Sequence, residues 1–307
     1  MDGMSLSDMG SILAMQGFNG LSLFCVLLLM ALGLAIIFGQ MGVINMAHGE
    51  FMTVGAYTTF LSSHVASNYF PGLTSSYFLL AIIASFIIAF GIGYLVEYLM
   101  IRHLYRRPLD TLLATWGLSL GMQQAFRSVF GAKEVSATLP DWLMGSWQPT
   151  PGLDIPLNGL FVMALTALLT SGVLLLLFRS DFGLQVRATV QNRTMANAVG
   201  INTKKVDRIT FALGCGIAGI AGAAFTTIGS TGPTSGSLYI VDTFLVVVFG
   251  GAQSLLGTVA SAFGIAQAQS ISEFFMTSSM AKVLTLAAVI LILLIRPEGL
   301  LRVKVRR

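Results

Sequence analysis

The sequence predicts an all-α, polytopic transmembrane helical bundle of eight or nine spans, some of them broken or re-entrant. Three observations carry this reading. Of 307 residues, 55% are hydrophobic and only 10% charged, with a mean hydropathy of +0.82. A soluble domain carries about 25% charged residues, and so little charge cannot cover a globular surface. That excludes an ordinary soluble enzyme, a nucleic-acid binder or a disordered scaffold. Apolar runs near the ~20 residues a helix needs to cross the hydrocarbon core recur along the chain. The basic residues are gathered in a few short stretches, so the net charge of +4 reads as a topology signal and not as a nucleic-acid footprint.

The candidate spans are 20–39, 51–66, 77–100, 109–127, 159–178, 209–228, 241–252, 256–272 and 281–295. Residues 11–18 read as a short interfacial helix ahead of the first. Spans 51–66 and 241–252 are short or interrupted, and the count turns on whether 241–252 crosses or re-enters. Arg102, Arg106 and Arg107 share one loop. Arg179, Arg187, Arg193, Lys204, Lys205 and Arg208 share a second, and Arg296, Arg302, Lys304, Arg306 and Arg307 form the tail. That side is expected to be cytoplasmic; nine spans then put the N-terminus outside and the C-terminus inside. No basic residue precedes Arg102, so the first apolar run lacks the positive n-region of a signal peptide.

The chain reads as one domain, 1–307, with an outer (periplasmic) loop at 128–158. That loop holds Pro140, Pro149, Pro151, Pro156, Trp142 and Trp147, which suits interfacial anchoring or a docking surface for an external partner. Small residues from Gly214 to Ala223, with Gly91 and Gly93, suit close helix packing in lipid. The runs Phe38–Gly42 and Phe249–Gln253 end two spans in a similar way, and broken helices in corresponding positions point toward a pathway. Cys25 and Cys215 lie in apolar runs and read as small core hydrophobes.

The stretch Gly42–Glu50 sets an amide, an imidazole and a carboxylate (Asn45, His48 and Glu50) in an apolar region. Polar groups at that depth face the bundle interior or a wet cavity. Two roles fit them: bonding the loose backbone ends of a broken helix, or facing a substrate route. Thr115, Gln123, Gln124, Gln253, Gln267 and Gln269 are further polar residues within or beside the apolar runs. Asp242 reads as a helix N-cap, and Glu97 as a partner of Arg102. The spacing His-x-Glu is not a zinc pattern, and neither a phosphate loop nor a nucleophile elbow occurs. No ladder of charges crosses the apolar runs, which argues for an external energy source. The segment 179–208 reads as helical from Gln185 to Val199, ended by Gly200 as a C-cap. Arg187 and Arg193 are its expected exposed handles. It fits a connector lying on the headgroups or a coupling helix docked into a motor subunit.

With those residues in view the chain resembles the LivH-like permease subunits of branched-chain amino acid and urea ABC importers. The likeness runs through Gly33-Leu34, Gly42–Glu50, Gly55-Ala56-Tyr57, and Gly183 through Arg187-Ala188 and Ala196 to Gly200-Ile201. It continues in Phe249-Gly250-Gly251, Leu256-Gly257-Thr258 and Arg296–Leu300. Within the class, Asn45–Glu50, the stretch Arg107–Gly117 and Gln123-Gln124 look most like the urea permeases. Leu301 departs from the Phe common in the family's ending. The resemblance implies a multi-pass protein of the bacterial inner membrane, non-catalytic in itself and without a cofactor, ATP being bound by partner subunits. It implies half of a pathway for urea or short amides, with branched-chain amino acids as the alternative and a self-sufficient transporter or channel less favoured. The implied partners are a second homologous permease, two cytoplasmic ATPase subunits, a periplasmic binding protein, a small neutral substrate and membrane lipid, with no nucleic acid. Asn45, His48, Glu50, Thr115, Gln123 and Gln253 are then pathway candidates. Arg187, Ala188, Asn192, Arg193, Ala196 and Gly200, within 185–201, are coupling candidates.

Overall fold

The computed structural model describes residues 6–70, 72, 74–105, 107–150, 153–251, 254–296, 299 and 300. In chain order the helices are α1 (Leu6–Met41), α2 (His48–Tyr69) and α3 (Tyr77–Val96), which runs on through a π turn (Glu97–Ile101) into α4 (Arg102–Leu104), then α5 (Pro108–Phe130). A hairpin of β1 (Ser146–Thr150) and β2 (Leu153–Pro156) leads to α6 (Leu157–Arg179), α7 (Asp181–Gln191), α8 (Arg193–Ala198), α9 (Thr203–Phe225), α10 (Ser235–Gly250), α11 (Leu255–Phe275) and α12 (Ser278–Ile295). The β strands are antiparallel.

Among the described residues, five helices are long and apolar enough to cross a membrane: Met15–Gly39, Tyr77–Leu104, Leu157–Arg179, Thr203–Phe225 and Ser278–Ile295. The other long helices have a physical reason to fall short. α10 has only 16 residues. α2 carries Thr53, Thr58, Thr59, Ser62 and Ser63, α11 carries Gln267 and Gln269, and α5 carries the polar stripe described below. The short helix expected at 11–18 is absorbed into α1, because no breaker separates it from the next apolar run. Gln16 is tied to α11, its carbonyl accepting from Ser270 Oγ at 2.9 Å.

The core is organised on α9, whose residues from Thr210 to Phe225 are buried except for Leu213. Its glycines and alanines let neighbouring backbones touch. A Cβ at Gly55 of α2 would sit on the carbonyl of Gly219, and one at Gly222 on the carbonyl of Met52. On α3, a Cβ at Gly93 would lie 2.6 Å from the Cys215 Cβ. Cys25 and Cys215 are buried free thiols, as expected.

Two helices begin inside the bundle. His48, the first residue of α2, puts Nε2 3.2 Å from the carbonyl of Met30, eleven residues before α1 ends, about 16 Å at 1.5 Å per residue. Residues 42–47 therefore fold back along α1. Gly236, near the start of α10, donates its N–H to Thr53 Oγ1 at 2.9 Å, so the segment 226–234 also returns to the interior. The paired breaks read from the sequence share a geometry: Gly42 (φ 64°) and Gly251 (φ 93°) both follow a helix end in the left-handed region, which glycine enters without penalty. Gly200 has φ 91°, as its expected C-cap role requires.

Two pairings differ from expectation. Asp242 lies within α10 and meets Lys282 Nζ of α12 at 2.7 Å, because the helix starts earlier than its apolar run. Glu97 meets Arg208 Nε at 2.8 Å, because the π turn directs it to α9; Arg102 instead lies over the Tyr98 ring at 4.2 Å. In the 128–158 loop Trp142 donates to the Ser75 carbonyl at 2.7 Å and packs edge-on to Phe161; both Trp142 and Trp147 stay exposed.

Candidate functional site

The site grows from the point where α2 starts. Asn45 holds the turn before it, its Oδ1 accepting the Ala47 N–H at 3.1 Å, and its Nδ2 is buried with no partner among the described residues. His48 Nε2 faces a carbonyl, which can only accept, so the proton sits on Nε2 and the buried Nδ1 offers an unpaired lone pair. Glu50, in the first turn of α2, is 1% exposed. Its Oε1 accepts from Ser119 Oγ at 3.0 Å and Gln123 Nε2 at 2.8 Å, while Oε2 is buried without a partner among the described residues.

Helix α5 supplies the opposite wall. Thr111, Thr115, Ser119 and Gln123 recur every four residues, which places them on one face. Thr111 bonds back to the carbonyls of Leu104 and Arg107 at 2.9 and 3.0 Å. Thr115 Oγ1 accepts the Met46 N–H at 3.2 Å and donates to the Leu112 carbonyl at 3.0 Å, satisfying one loose donor of the broken segment. Farther along, Tyr57 of α2 stacks on Phe130 at 4.1 Å and lies 5.3 Å from Phe126. The α2–α5 seam is thus polar at Glu50 and aromatic two turns on. The Tyr57 hydroxyl is also buried without a partner among the described residues.

Five of the six pathway candidates, Asn45, His48, Glu50, Thr115 and Gln123, come together along the break and the start of α2. Gln253 lies outside the described residues. Ser119 and Tyr57 were missed. The four-residue spacing from Thr111 through Gln123 is the signal for Ser119; Tyr57 enters the sequence reading only within the Gly55-Ala56-Tyr57 motif, with no role attached. A cleft of about 510 Å³ opens between α1, α6, α9 and α10, lined by Ser22, Glu134, Asn158, Phe225, Ser235 and Tyr239 among others. Its lining residue Ser235 adjoins Gly236, which touches Gly49 and Thr53 of α2.

The 185–201 segment is two helices, not the single one expected. Asn192 leaves helical geometry (φ −156°, ψ 100°), and its side chain accepts the Met195 N–H at 3.0 Å, capping α8. Arg193 is exposed as expected but pairs with buried Asp207, while Arg187 is half-buried 5.5 Å from the Phe178 ring. Ala188 and Ala196 give their carbonyls to Asn192 and Ile201, and Gly200 closes the segment. α7, α8 and its C-cap expose Leu184, Met195 and Val199 among polar residues such as Gln185, Gln191 and Asn197.

Residues 17–294 match the family described as branched-chain amino acid transport system / permease component. The chain is 28% identical to the high-affinity branched-chain amino acid transport system permease protein LivH of Salmonella typhimurium, over 93% of this chain and 94% of that protein. It is 27% identical to the corresponding permease protein BraD of Pseudomonas aeruginosa, covering 92% and 94%. With the probable branched-chain amino acid permease LivH of Methanocaldococcus jannaschii the identity is 26%, covering 96% and 94%. No solved structure matches. The match and the apolar helices together make this a multi-pass inner-membrane protein. The chain belongs to the branched-chain amino acid transport system permease family.

Proposed function

We propose that this chain is the permease subunit of an ATP-driven importer, forms half of its translocation pathway, and carries branched-chain amino acids. The observation that carries the substrate reading is Glu50: a buried carboxylate with one oxygen held by Ser119 and Gln123 and the other unpartnered among the described residues. An α-ammonium group is the partner such an oxygen takes most strongly. The aromatic part of the seam suits an aliphatic side chain. The cleft that reaches Ser235 is the mouth from which substrate approaches. Urea carries no charge for Glu50 to pair, and the sequence hint for it rests mainly on Arg107–Gly117. The family description and the relatives' names favour the amino acid, the alternative to urea in the sequence reading.

In this reading the basic loops face the cytoplasm, the 128–158 loop faces a periplasmic binding protein, and a second permease completes the pathway. Two ATPase subunits dock on α7–α8, where Leu184, Met195 and Val199 offer apolar contact. ATP stays on those partners. Uptake of labelled leucine and of labelled urea by the assembled transporter in proteoliposomes tests the proposal. We expect leucine uptake that stops with an ATPase-dead motor. Urea uptake without leucine uptake overturns the substrate, and uptake that ignores the motor overturns the importer.

A further inference from the structure

Two carboxylates are buried at the basic end of the bundle, and neither belongs to the site above. Glu97 lies in the π turn after α3 and Asp207 in the second turn of α9. Asp207 receives the guanidinium of Arg193 from α8. Its chain neighbour Arg208 reaches the other way, to Glu97 at 2.8 Å, and its guanidinium lies 5.2 and 4.7 Å from the rings of Tyr94 and Tyr98. Tyr105 joins the two pairs: it gives its hydroxyl to Glu97 at 2.5 Å and its ring face to Arg193 at 5.5 Å. Burial and the Glu97 carboxylate push the Tyr105 hydroxyl far above the ordinary phenol range, so it remains a donor.

Each pair buries its carboxylate while the arginine stays partly exposed, so desolvation of the carboxylate offsets much of the attraction and the pairs add little stability. What they do well is fix which element sits against which. Here α9 is tied to α8 by one pair and to α3 by the other. π turns are rare and favour functional positions. Beyond the ties, α9 touches α2 and α3 backbone to backbone, so a displacement of its first turns reaches the helix that carries Glu50 as a rigid movement.

We propose that Arg193–Asp207 and Arg208–Glu97, bridged by Tyr105, form a two-tie joint that carries movement of α7–α8 into α9 and α3. These are positioning residues for transport; they touch no substrate. The proposal rests on the reading of α7–α8 as the motor-docking segment.

The test uses the complete transporter in proteoliposomes, comparing Arg193→Gln, Arg193→Lys and Glu97→Gln. Leucine moved per ATP hydrolysed is read alongside spin-label distances from α12 to Val199 and to Leu95. We expect R193Q and E97Q each to lower leucine moved per ATP by about tenfold, within the range coupling free energies produce, and R193K to retain it. ATP should still shift the Val199 label in both neutral variants, while the Leu95 label no longer follows. A Leu95 label that follows in R193Q, or an unchanged ratio in both neutral variants, overturns the joint. A Val199 label that never responds to ATP in the wild-type complex, or a Leu184→Asp variant that still binds the motor, overturns the docking reading instead.

Discussion

Replacing Gly55 by alanine tests the packing on which the site stands. A Cβ there would come within 2.6 Å of the Gly219 carbonyl carbon and 2.7 Å of its Cα, whereas ordinary contact begins at 3.4 Å. The obstacle is backbone, so no rotamer change relieves it. The Gly219 carbonyl oxygen is nearer still, so α2 and α9 must part locally by more than about 0.8 Å, forfeiting at least a quarter to a half of each affected dispersion contact. Overpacking of this kind costs roughly 1–3 kcal/mol, and the rigid partner puts G55A at the upper end. Gly264→Ala is the control: nothing lies within 4 Å of its Cβ position, and alanine in a helix interior gains up to about 1 kcal/mol. Thermal unfolding of the detergent-solubilised chain should therefore rank G264A at or above wild type and G55A clearly below it. Equal stability of the two variants would refute the backbone contact between α2 and α9.

Three further outcomes follow from the geometry. Gln123→Leu removes one of two donors to the Glu50 carboxylate, a loss of about 1.5–3 kcal/mol for a hydrogen bond to a charged group, so leucine uptake by the assembled transporter should fall about tenfold or more; unchanged uptake would remove Gln123 from the pathway. Asp242→Asn breaks the pair with Lys282, which is nearly buried on the aspartate side and partly exposed on the lysine side; the cost should lie between the ~0–1 kcal/mol of exposed pairs and the ~3–5 kcal/mol of buried ones. Thermal unfolding should show Asp242→Leu with Lys282→Met recovering much of it, and no recovery would contradict the pairing. Gly42→Ala forces a side chain into the left-handed region and should lower stability by roughly 1–2 kcal/mol, whereas an unaltered melting temperature would mean that α1 does not end as described.

The helical class and, among the described residues, the five helices long and apolar enough to cross a membrane were legible because hydropathy reports directly on burial in lipid, whereas the count of eight or nine spans is not shown. So was the break at Gly42–Glu50, where polar residues interrupt an apolar run. The inward starts of α2 and α10 were less legible, since the depth of a helix start depends on neighbours such as Met30 and Thr53 that lie far off in sequence. The same holds for the ion pairs. Arg102 was the nearest cation to Glu97 along the chain, but the π turn gave that carboxylate to Arg208. Helical periodicity ran unbroken through Asn192, and only the side-chain cap on Met195 shows why the helix divides there. Ser119 is legible only from the four-residue spacing on α5, since a single serine in an apolar run carries no signal of its own.

The most direct test is leucine uptake by the fully assembled transporter carrying Glu50→Gln. The amide keeps the shape and can still accept from Ser119, but it removes the charge that an ammonium group would pair with. If Glu50 is the polar centre of the pathway, uptake falls about tenfold or more while the complex stays assembled, in keeping with a lost charge-assisted contact. Uptake at the wild-type rate and affinity would mean that Glu50 serves only to hold α5 against α2, and that the substrate passes elsewhere.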